Sequence, residues 1–501
     1  MVASFLAFLA LFAGVGLASS LRARSGKLDY YLASRSVSPW LVGLSAVATN
    51  NSGYMFIGVI GYTWAAGLAA AWLMVGWILG DLMASFFVHR RLREAAGRSQ
   101  QASFAGLLAH WQDSPLVRWQ RFAGAVGLIF MLAYAGAQLL AGSKALTVLL
   151  GWPPWAGAVG GAVLVALYCL AGGIRASIWT DAAQSLVMLA AMGVLLAAAT
   201  AALGGPAAVV ERLAAVEGYL DPWPEQLLMP GLLGLLLFVA GWLAAGLSVI
   251  GQPHIMVRFM TLDEPGHIGR ARLWYYLWFA AFYAMATGVG LLSRLYLPEA
   301  AQFDAELALP LMARDLLPPL LAGLILAGIF AATLSTADSL LLGCSAAITH
   351  DLLPRGIERP VLLRAVTLAV TLGALAWALA SRQTVFALVI LAWSGLACTF
   401  GPVLLILALG GRMGEGTAIA VSAAGLAAAV GWRAAGLAEV LYEGLPGMLA
   451  ALAVYALARA GGPEWKRSRE SGVSTSDRSR SAKTARRAAR SPSETASANS
   501  R

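Results

Sequence analysis

Apolar segments long enough to cross a lipid bilayer recur along almost the whole chain. A membrane-spanning helix needs about 20 predominantly apolar residues, and about thirteen such segments lie between residues 2 and 459. Charged residues make up only 12% of the sequence, compared with about 25% in a typical soluble domain. The sequence therefore predicts an all-α integral membrane protein.

The loops between these segments alternate in charge. The predicted helices run roughly over residues 2–20, 38–62, 66–89, 120–150, 155–174, 178–203, 231–256, 272–297, 317–347, 362–381, 384–409, 416–434 and 443–459. The loops on one side carry acidic residues, namely Glu211, Glu217, Asp221, Glu225, Glu299, Asp304 and Glu306. Those on the other side carry arginines, namely Arg90, Arg91, Arg93, Arg98, Arg258, Arg270, Arg272, Arg355, Arg359 and Arg364. Because basic loops stay in the cytoplasm, this bias predicts a multi-pass protein of the plasma (inner) membrane with its N-terminus outside and its C-terminus inside.

Composition changes at the end of the predicted membrane domain, which covers residues 1–460. Residues 461–501 are rich in serine and arginine and have few apolar side chains, so we expect a disordered cytoplasmic tail. Much of the net charge of +10 lies there, and it is not evidence for nucleic-acid binding. The pattern favours a solvated basic tail over one that binds anionic lipid, and membrane lipid is the expected partner of the helices.

Two hydroxyls and an acid interrupt the apolar segment at 317–347. They are Ser335, Thr336 and Asp338. Polar groups at this depth must face a bundle core or a cavity, which makes them candidates for a functional site. Two structural interpretations remain open. The hydroxyls could bond to carbonyls of their own helix, and Asp338 could form a structural ion pair near the cytoplasmic end.

A second polar interruption is the run ATNNSG at residues 48–53, and a third is GQPH at residues 251–254. Gly53 allows the backbone to unwind, and freed carbonyls together with hydroxyls form the oxygen ligand set that hard cations prefer. Polar, glycine-broken segments in both halves of a membrane protein indicate a transporter binding site. Hydrogen bonding between packed helices is the alternative explanation.

Five ordered sequence blocks resemble the sodium:solute symporter family, and most closely its sodium/proline symporter branch. They begin at Ala33 (ASRSVSPWLVGLSAVATNNSGYMFIGVIG), Gly172 (GGIRASIWTDAAQSLVM), Gly251 (GQPHIMVRFM), Ile329 (IFAATLSTADSLLLGCSAAITHDL) and Ala392 (AWSGLACTFGPV). The resemblance spans residues from about 30 to 405. It implies a leucine-transporter-like fold of two inverted five-helix repeats, about 38–203 and 231–409, with helices two and seven broken.

The resemblance also implies site residues. The sodium ligands would be the carbonyls of Ala48, Asn51 and Ala332 and the hydroxyls of Ser335 and Thr336. Asp181 corresponds to an acid of the inner ion pathway, and we place Asp338 beside it. The expected solute site comprises Asn50, Ser52, Gly53, Tyr134, Gln138, Ala245, Val249, Trp393 and Ser394.

Three positions depart from the proline-transporting branch. That branch has an acid in place of Asn50, and it has aromatic side chains in place of Ala245 and Val249. A pocket with smaller walls could accept a differently shaped solute. We therefore expect a Na⁺-coupled symporter for a small organic solute, either proline or another amino acid.

The sequence leaves two alternative functions open. Proton coupling on the same fold is the nearest alternative, and a symporter-like membrane sensor is another. The sequence contains no HExxH, no GxSxG and no paired acids on one helix, so we do not expect an enzyme. We expect no cofactor and no metal other than Na⁺ as the coupling ion.

Overall fold

The computed structural model describes residues 1–20, 27–297, 304–353 and 359–461. Within these ranges the chain is helical, and its sole β-pairing is an isolated bridge between Val37 and Leu262. The α-helices are numbered here in chain order. They are α1 (Val2–Ser20), α2 (Lys27–Leu32), α3 (Pro39–Asn50), α4 (Gly53–Phe56), α5 (Gly58–Ala66), α6 (Ala71–Arg98), α7 (Phe104–Ala109), α8 (Val117–Leu150), α9 (Pro154–Ala202), α10 (Pro206–Ala214), α11 (Gly231–Leu247), α12 (Pro253–Met260), α13 (Ile268–Tyr296), α14 (Ala308–Leu316), α15 (Pro319–Ala346), α16 (Pro360–Ala380), α17 (Val385–Ala408), α18 (Glu415–Ala434) and α19 (Gly444–Gly461).

Ten helical stretches of the described chain are long and apolar enough to cross a membrane. Two further apolar helices, Pro154–Leu167 and Gly444–Ala460, are shorter. These helices confirm the prediction of an all-α membrane protein. The number of long stretches is below thirteen because some predicted segments are divided or shortened. The segment expected at 38–62, for example, is split into α3, α4 and α5.

The first division falls at Asn51, where the backbone leaves the helix (φ −91°, ψ 72°). Ser52 then caps α4, because its Oγ accepts a hydrogen bond from the Tyr54 amide at 3.2 Å. A serine at this position satisfies a backbone donor that the new helix leaves unpaired. The polar run in the sequence thus ends one helix and begins another.

The second division separates α11 from α12. A 3₁₀ turn, Ser248–Gly251, follows α11, and Gln252 is extended (φ −97°, ψ 101°). Pro253 occupies the first turn of α12, where its missing N–H leaves no helical bond unmade. Gly251 packs backbone to backbone, since a Cβ there would lie 2.6 Å from Ala397 Cα.

α15 lies at the centre of the bundle. Nearly every residue from Ala322 to Ala346 is buried, and the helix packs against α8 and α9. α9 changes direction at Gly173, where φ is 58°. A Cβ at Gly173 would lie 2.6 Å from the Tyr30 carbonyl, so both the dihedral angle and the close approach require glycine.

The bundle has two ends, which α6 connects. At one end, beside the start of α6, the Leu68 amide donates to the Tyr219 carbonyl at 2.9 Å. At the other end, Arg93 near the end of α6 donates to the Asp263 carbonyl at 2.8 Å. Gln112 lies on the Arg93 side and donates to the Met413 carbonyl at 2.7 Å. We call these the Tyr219 end and the Arg93 end.

Residues Met1–Leu452 form this bundle, and Ala453–Arg501 form a separate unit. The described part of the second unit is the last part of α19. The predicted disordered tail, 461–501, lies outside the described residues except for Gly461, which ends α19.

Candidate ion and solute site

The interrupted end of α3 faces the middle of α15. Ser335 Oγ donates to the Ala48 carbonyl at 3.2 Å and to the Ala332 carbonyl at 3.1 Å. Thr336 Oγ1 donates to the Thr49 carbonyl at 2.9 Å. The side chains are fully buried. The structure therefore brings together four of the five residues expected to bind sodium, in a cluster of carbonyl and hydroxyl oxygens.

Asn51, whose backbone carbonyl is the fifth expected ligand, lies one turn further along the same segment, and its side chain adds a second oxygen. Its side-chain amide donates to the Val47 carbonyl at 2.8 Å. Its Oδ1 atom is buried without a hydrogen-bond partner among the described residues. A buried acceptor of this kind is costly unless a donor or a cation satisfies it. The oxygen-rich donor set suits a small hard cation such as Na⁺.

The two acids expected in the ion pathway meet at a buried arginine. Arg258 Nη2 lies 3.2 Å from Asp181 Oδ2 and 4.0 Å from Asp338 Oδ1. These residues belong to α12, α9 and α15, and the most exposed of the three side chains is 5% accessible. The assignment of Arg258 to a cytoplasmic loop was wrong, because the residue lies within α12 and is fully buried.

Serine and threonine hydroxyls complete this cluster. Ser45 Oγ donates to Asp181 at 2.7 Å, Ser177 Oγ donates to Asp338 at 3.1 Å, and Arg258 donates to both Ser177 and Ser339. Thr49 joins the cluster to the oxygen site. Its hydroxyl lies 3.4 Å from Asp181, while its carbonyl accepts the hydrogen bond from Thr336. Thr49 therefore connects Asp181 to Thr336, and Ser339, which bonds to both Asp338 and the Ser335 carbonyl, connects Asp338 to Ser335.

A cavity of about 40 Å³ begins at this cluster and extends toward the Arg93 end. Arg258 and Ser339 line one side of it, and Ser103 and Asp351 line another. A volume of this size holds about three water molecules. Its lining is mostly apolar, with polar side chains where it meets the ion cluster and at Ser103 and Asp351.

The α3–α4 break also contacts α8, which carries two of the expected solute residues. The Gly53 amide donates to Gln138 Oε1 at 2.8 Å, and Tyr134 donates to Ser52 Oγ at 3.2 Å. The Tyr134 ring lies edge-on to His254, with 5.5 Å between ring centroids. The break is therefore joined to α8 and α12 at the same level of the bundle.

The expected solute residues of α11 and α17 form a second contact. Trp393 Nε1 donates to the Ala245 carbonyl at 2.9 Å, and Gln252 Nε2 donates to the Trp393 carbonyl at 2.9 Å. Ala245 and Val249 are fully buried. They lie four residues apart, on either side of the change from α-helix to 3₁₀ turn.

Two expected solute residues bond to side chains outside both of these groups. Ser394 Oγ donates to Glu443 Oε1 at 2.9 Å, on the side of α17 that faces α18. Asn50 Nδ2 donates to the Tyr275 hydroxyl at 2.5 Å. The structure thus groups Ser52, Gly53, Tyr134 and Gln138, and separately Ala245, Val249 and Trp393.

Sequence reasoning missed Arg258, Tyr275 and Asp81 as members of these networks. Tyr275 donates to Asp81 Oδ2 at 2.6 Å, and Asp81 is fully buried in α6. A signal was present in two cases, since Asp81 and Arg258 are isolated charges within apolar helices. Tyr275 carried no such signal, because tyrosine is common in membrane helices.

Interrupted helices beside a buried oxygen cluster, within a multi-helix membrane bundle, are typical of membrane transporters. The sodium:solute symporter family model matches residues 30–425. Since this covers most of the chain, the protein belongs to the sodium:solute symporter family. The predicted class of function, Na⁺-coupled symport of a solute, is confirmed, as is the prediction that the chain is not an enzyme.

Curated relatives are similar over most of their length. The high-affinity proline transporter PutP of Bacillus subtilis is 32% identical over 443 residues, which cover 85% of this chain and 91% of the relative. The sodium/proline symporter of Escherichia coli is 30% identical over 439 residues, covering 84% and 85%.

Solved structures share the fold. A Na⁺-coupled sialic acid symporter in a substrate-bound outward-open state superposes with a TM-score of 0.75 at 20% identity, covering 91% of this chain and 96% of that one. Mhp1, a nucleobase-cation-symport-1 family transporter in a closed conformation, gives a TM-score of 0.57 at 15% identity, covering 87% and 95%.

Proposed function

We propose that the protein imports L-proline, or a closely related small amino acid, together with Na⁺. The names of its curated relatives support proline as the solute. One structural observation carries the proposal. The hydroxyls of Ser335 and Thr336 on α15 face backbone carbonyls at the interrupted end of α3.

This geometry suggests how an ion couples to the solute. Each hydroxyl has lone pairs as well as a proton, so rotation about its C–O bond turns a donor toward the carbonyls into a ligand for a cation. A Na⁺ ion held by both hydroxyls and by the Ala48 and Ala332 carbonyls would bridge α3 and α15. Ser52 and Gly53, which would face the solute, directly follow Asn51 in the chain. Ion binding at the end of α3 would therefore also order the solute site.

The finer architecture is part of the same proposal. We assign α3–α5 as helix two and α11–α12 as helix seven of two inverted five-helix repeats, about 38–203 and 231–409. About thirteen membrane crossings would place the N-terminus outside and the C-terminus in the cytoplasm of the plasma membrane. The arginines near the Arg93 end support this orientation.

The solute pocket we propose lies between the two groups of contacts described above. Tyr134, Gln138, Ser52 and Gly53 would form one wall. Ala245, Val249 and Trp393 would form the other wall. Asn50 would contribute through its amide. Ser394 would act on this pocket only through its neighbour Trp393, since its own hydroxyl binds Glu443.

Uptake into proteoliposomes tests the proposal. Vesicles containing the purified protein receive labelled L-proline under an inward Na⁺ gradient, with matched vesicles under an inward proton gradient in choline buffer. We expect accumulation with Na⁺ and only equilibration without it. Accumulation driven by protons alone would contradict Na⁺ coupling, and accumulation of other solutes to the exclusion of proline would contradict the substrate.

A further inference from the structure

A buried acid, Asp81, lies outside the ion cluster and belongs to a different network. It is on α6 and fully buried. Its Oδ2 atom accepts a hydrogen bond from Tyr275 at 2.6 Å, and its Oδ1 atom accepts one from Tyr276 at 3.0 Å. Two hydroxyl donors, one on each oxygen, are what a carboxylate requires when it is removed from water.

One of these tyrosines continues the network to the helix break. The Tyr275 hydroxyl also accepts a hydrogen bond from Asn50 Nδ2, at 2.5 Å. The other tyrosine, Tyr276, is the next residue on α13 and reaches the same carboxylate from its other oxygen. Asp81, Tyr275 and Asn50 therefore form a relay from α6 through α13 to the last residue of α3.

The direction of each bond in the relay follows from Asp81. A carboxylate can only accept hydrogen bonds, so the single proton of the Tyr275 hydroxyl points to Asp81. The tyrosine can then offer Asn50 only a lone pair, and Asn50 must turn its NH₂ group toward it. The amide oxygen of Asn50 is consequently directed away from Tyr275, where it can accept a hydrogen bond from another group.

The relay is held in place by its surroundings. The Tyr275 ring packs against Tyr276, Phe279 and Phe259, with ring centroids 4.8, 5.5 and 6.0 Å away. The Tyr275 side chain is 1% exposed and Asn50 is 6% exposed. Little conformational freedom remains to be lost when a ligand meets the amide, and such preorganisation favours binding.

We infer that Asp81 is a positioning residue for solute recognition: through Tyr275 it fixes the Asn50 amide so that its oxygen accepts a hydrogen bond from the amino or imino N–H group of the solute. The inference deepens the proposed function and rests on it for the class of solute. In this inference Asn50 is the hydrogen-bond acceptor for the solute. Asp81, which contacts Asn50 only through Tyr275, determines that the amide oxygen and not the amide nitrogen faces the solute.

Adjacent tyrosines provide a matched pair of variants. Tyr275→Phe removes the hydroxyl that orients Asn50, whereas Tyr276→Phe removes an equivalent bond to Asp81 without touching Asn50. In Na⁺-driven uptake of labelled L-proline, we expect Tyr275→Phe to raise the KM for proline by about tenfold. Tyr276→Phe should change it by less than about twofold. The apparent Na⁺ affinity should stay within about twofold in both, because neither hydroxyl belongs to the oxygen site.

Exchanging the acid and the amide between residues 81 and 50 gives a second test. Its expected result cannot be explained by a change in protein stability alone. Asn50→Asp places a second carboxylate against a tyrosine whose proton already points to Asp81, so proline affinity should fall. Adding Asp81→Asn allows Tyr275 to donate to residue 50 and to accept from residue 81. We expect the double variant to bind proline more tightly than Asn50→Asp alone. Equal effects of the two phenylalanine variants, or additive losses in the double variant, would overturn the inference.

A panel of solutes distinguishes an error in the proposed substrate from an error in the role of Asn50. The wild-type protein is also assayed with a panel of labelled amino acids, with D-galactose and with glycine betaine, which lacks an N–H group. If it transports a panel amino acid in place of proline, the proposed substrate fails and the variants are compared on that amino acid. If it accumulates glycine betaine or D-galactose and no solute with an N–H group, the inference fails as well.

Discussion

The guanidinium group of Arg258 lies 3.2 Å from the carboxylate of Asp181, and both side chains are buried from solvent. The pair joins α12 to α9, and Asp338 at 4.0 Å adds α15. The two helices that carry the expected ion-pathway acids, α9 and α15, therefore meet α12 at one positive charge. Because Thr49 contacts both Asp181 and Thr336, this charge also lies close to the oxygen site.

Removing the arginine should destabilise the fold. Loss of one partner from a buried ion pair leaves an uncompensated charge and costs about 3–5 kcal/mol. We expect Arg258→Ala to lower the melting temperature in detergent by several degrees more than Arg270→Ala, which removes an exposed arginine from the neighbouring α13. Equal melting temperatures for the two variants would contradict this role for Arg258.

A compensating substitution separates charge from packing. If repulsion between Asp181 and Asp338 causes the loss, Arg258→Ala with Asp338→Asn should melt higher than Arg258→Ala alone. If lost packing causes it, the second substitution should bring no recovery.

The α15 hydroxyls should control the response to Na⁺. A hydrogen bond or ligand to a charged group contributes about 1.5–3 kcal/mol, so Thr336→Ala should weaken apparent Na⁺ affinity by roughly tenfold to a hundredfold. Thr371→Ala is a suitable control, because that buried hydroxyl bonds within α16, to the Thr367 carbonyl at 2.8 Å. The measurement is proline uptake at varied Na⁺ concentration. Unchanged Na⁺ dependence in both Ser335→Ala and Thr336→Ala would exclude the proposed site.

Much of the oxygen site could be predicted because its signals are local. Ser335 and Thr336 are conspicuous in an apolar helix, and Gly53 marks the point where α4 begins. Each feature can be read within one segment. Hydropathy and helix-breaking residues therefore predicted the interruption between α3 and α4 and the polar positions on α15. The family resemblance predicted that these two segments face each other.

The partners of buried charges could not be predicted in this way. Arg258 and Asp181 are 77 residues apart in sequence, and Asn50 and Tyr275 are 225 apart. No local pattern specifies such pairs, and the bias of arginine toward cytoplasmic loops led to the wrong location for Arg258. Trp393 and Ser394 were both expected in the solute site, but adjacent residues of one helix do not share a face. Neighbours on a helix point about 100° apart, so one meets Ala245 and the other meets Glu443.

Gly53 should not tolerate a side chain. A Cβ there would lie 2.5 Å from Thr333 Cγ2 and 3.0 Å from Ala141 Cβ. Overpacking of this kind costs about 1–3 kcal/mol, and it would push the break away from α15. We expect Gly53→Ala to reduce both melting temperature and proline uptake.

The same contact offers a specific suppressor. Thr333→Ser deletes the Cγ2 methyl group that the new Cβ would meet and keeps the hydroxyl that bonds to the Phe330 carbonyl. Gly53→Ala with Thr333→Ser should therefore recover part of the lost uptake. Thr333→Val retains a methyl group at the contact and should not rescue. Equal behaviour of the serine and valine combinations would show that the clash with Thr333 is not the cause.

The proposed orientation can be tested at exposed residues of the two bundle ends. Glu217 lies close to Tyr219 at one end, and Ser114 lies beside Gln112 at the other. In a parent chain carrying Cys169→Ser, Cys344→Ala and Cys398→Ala, we introduce Glu217→Cys or Ser114→Cys. Because arginine-rich loops remain in the cytoplasm, a membrane-impermeant maleimide should label Glu217→Cys in intact cells. It should label Ser114→Cys only after permeabilisation. The reverse pattern would invert the proposed topology, and labelling of both from outside would mean that α8 or one of the two parts of α9, which lie between the labelled residues, does not cross the membrane.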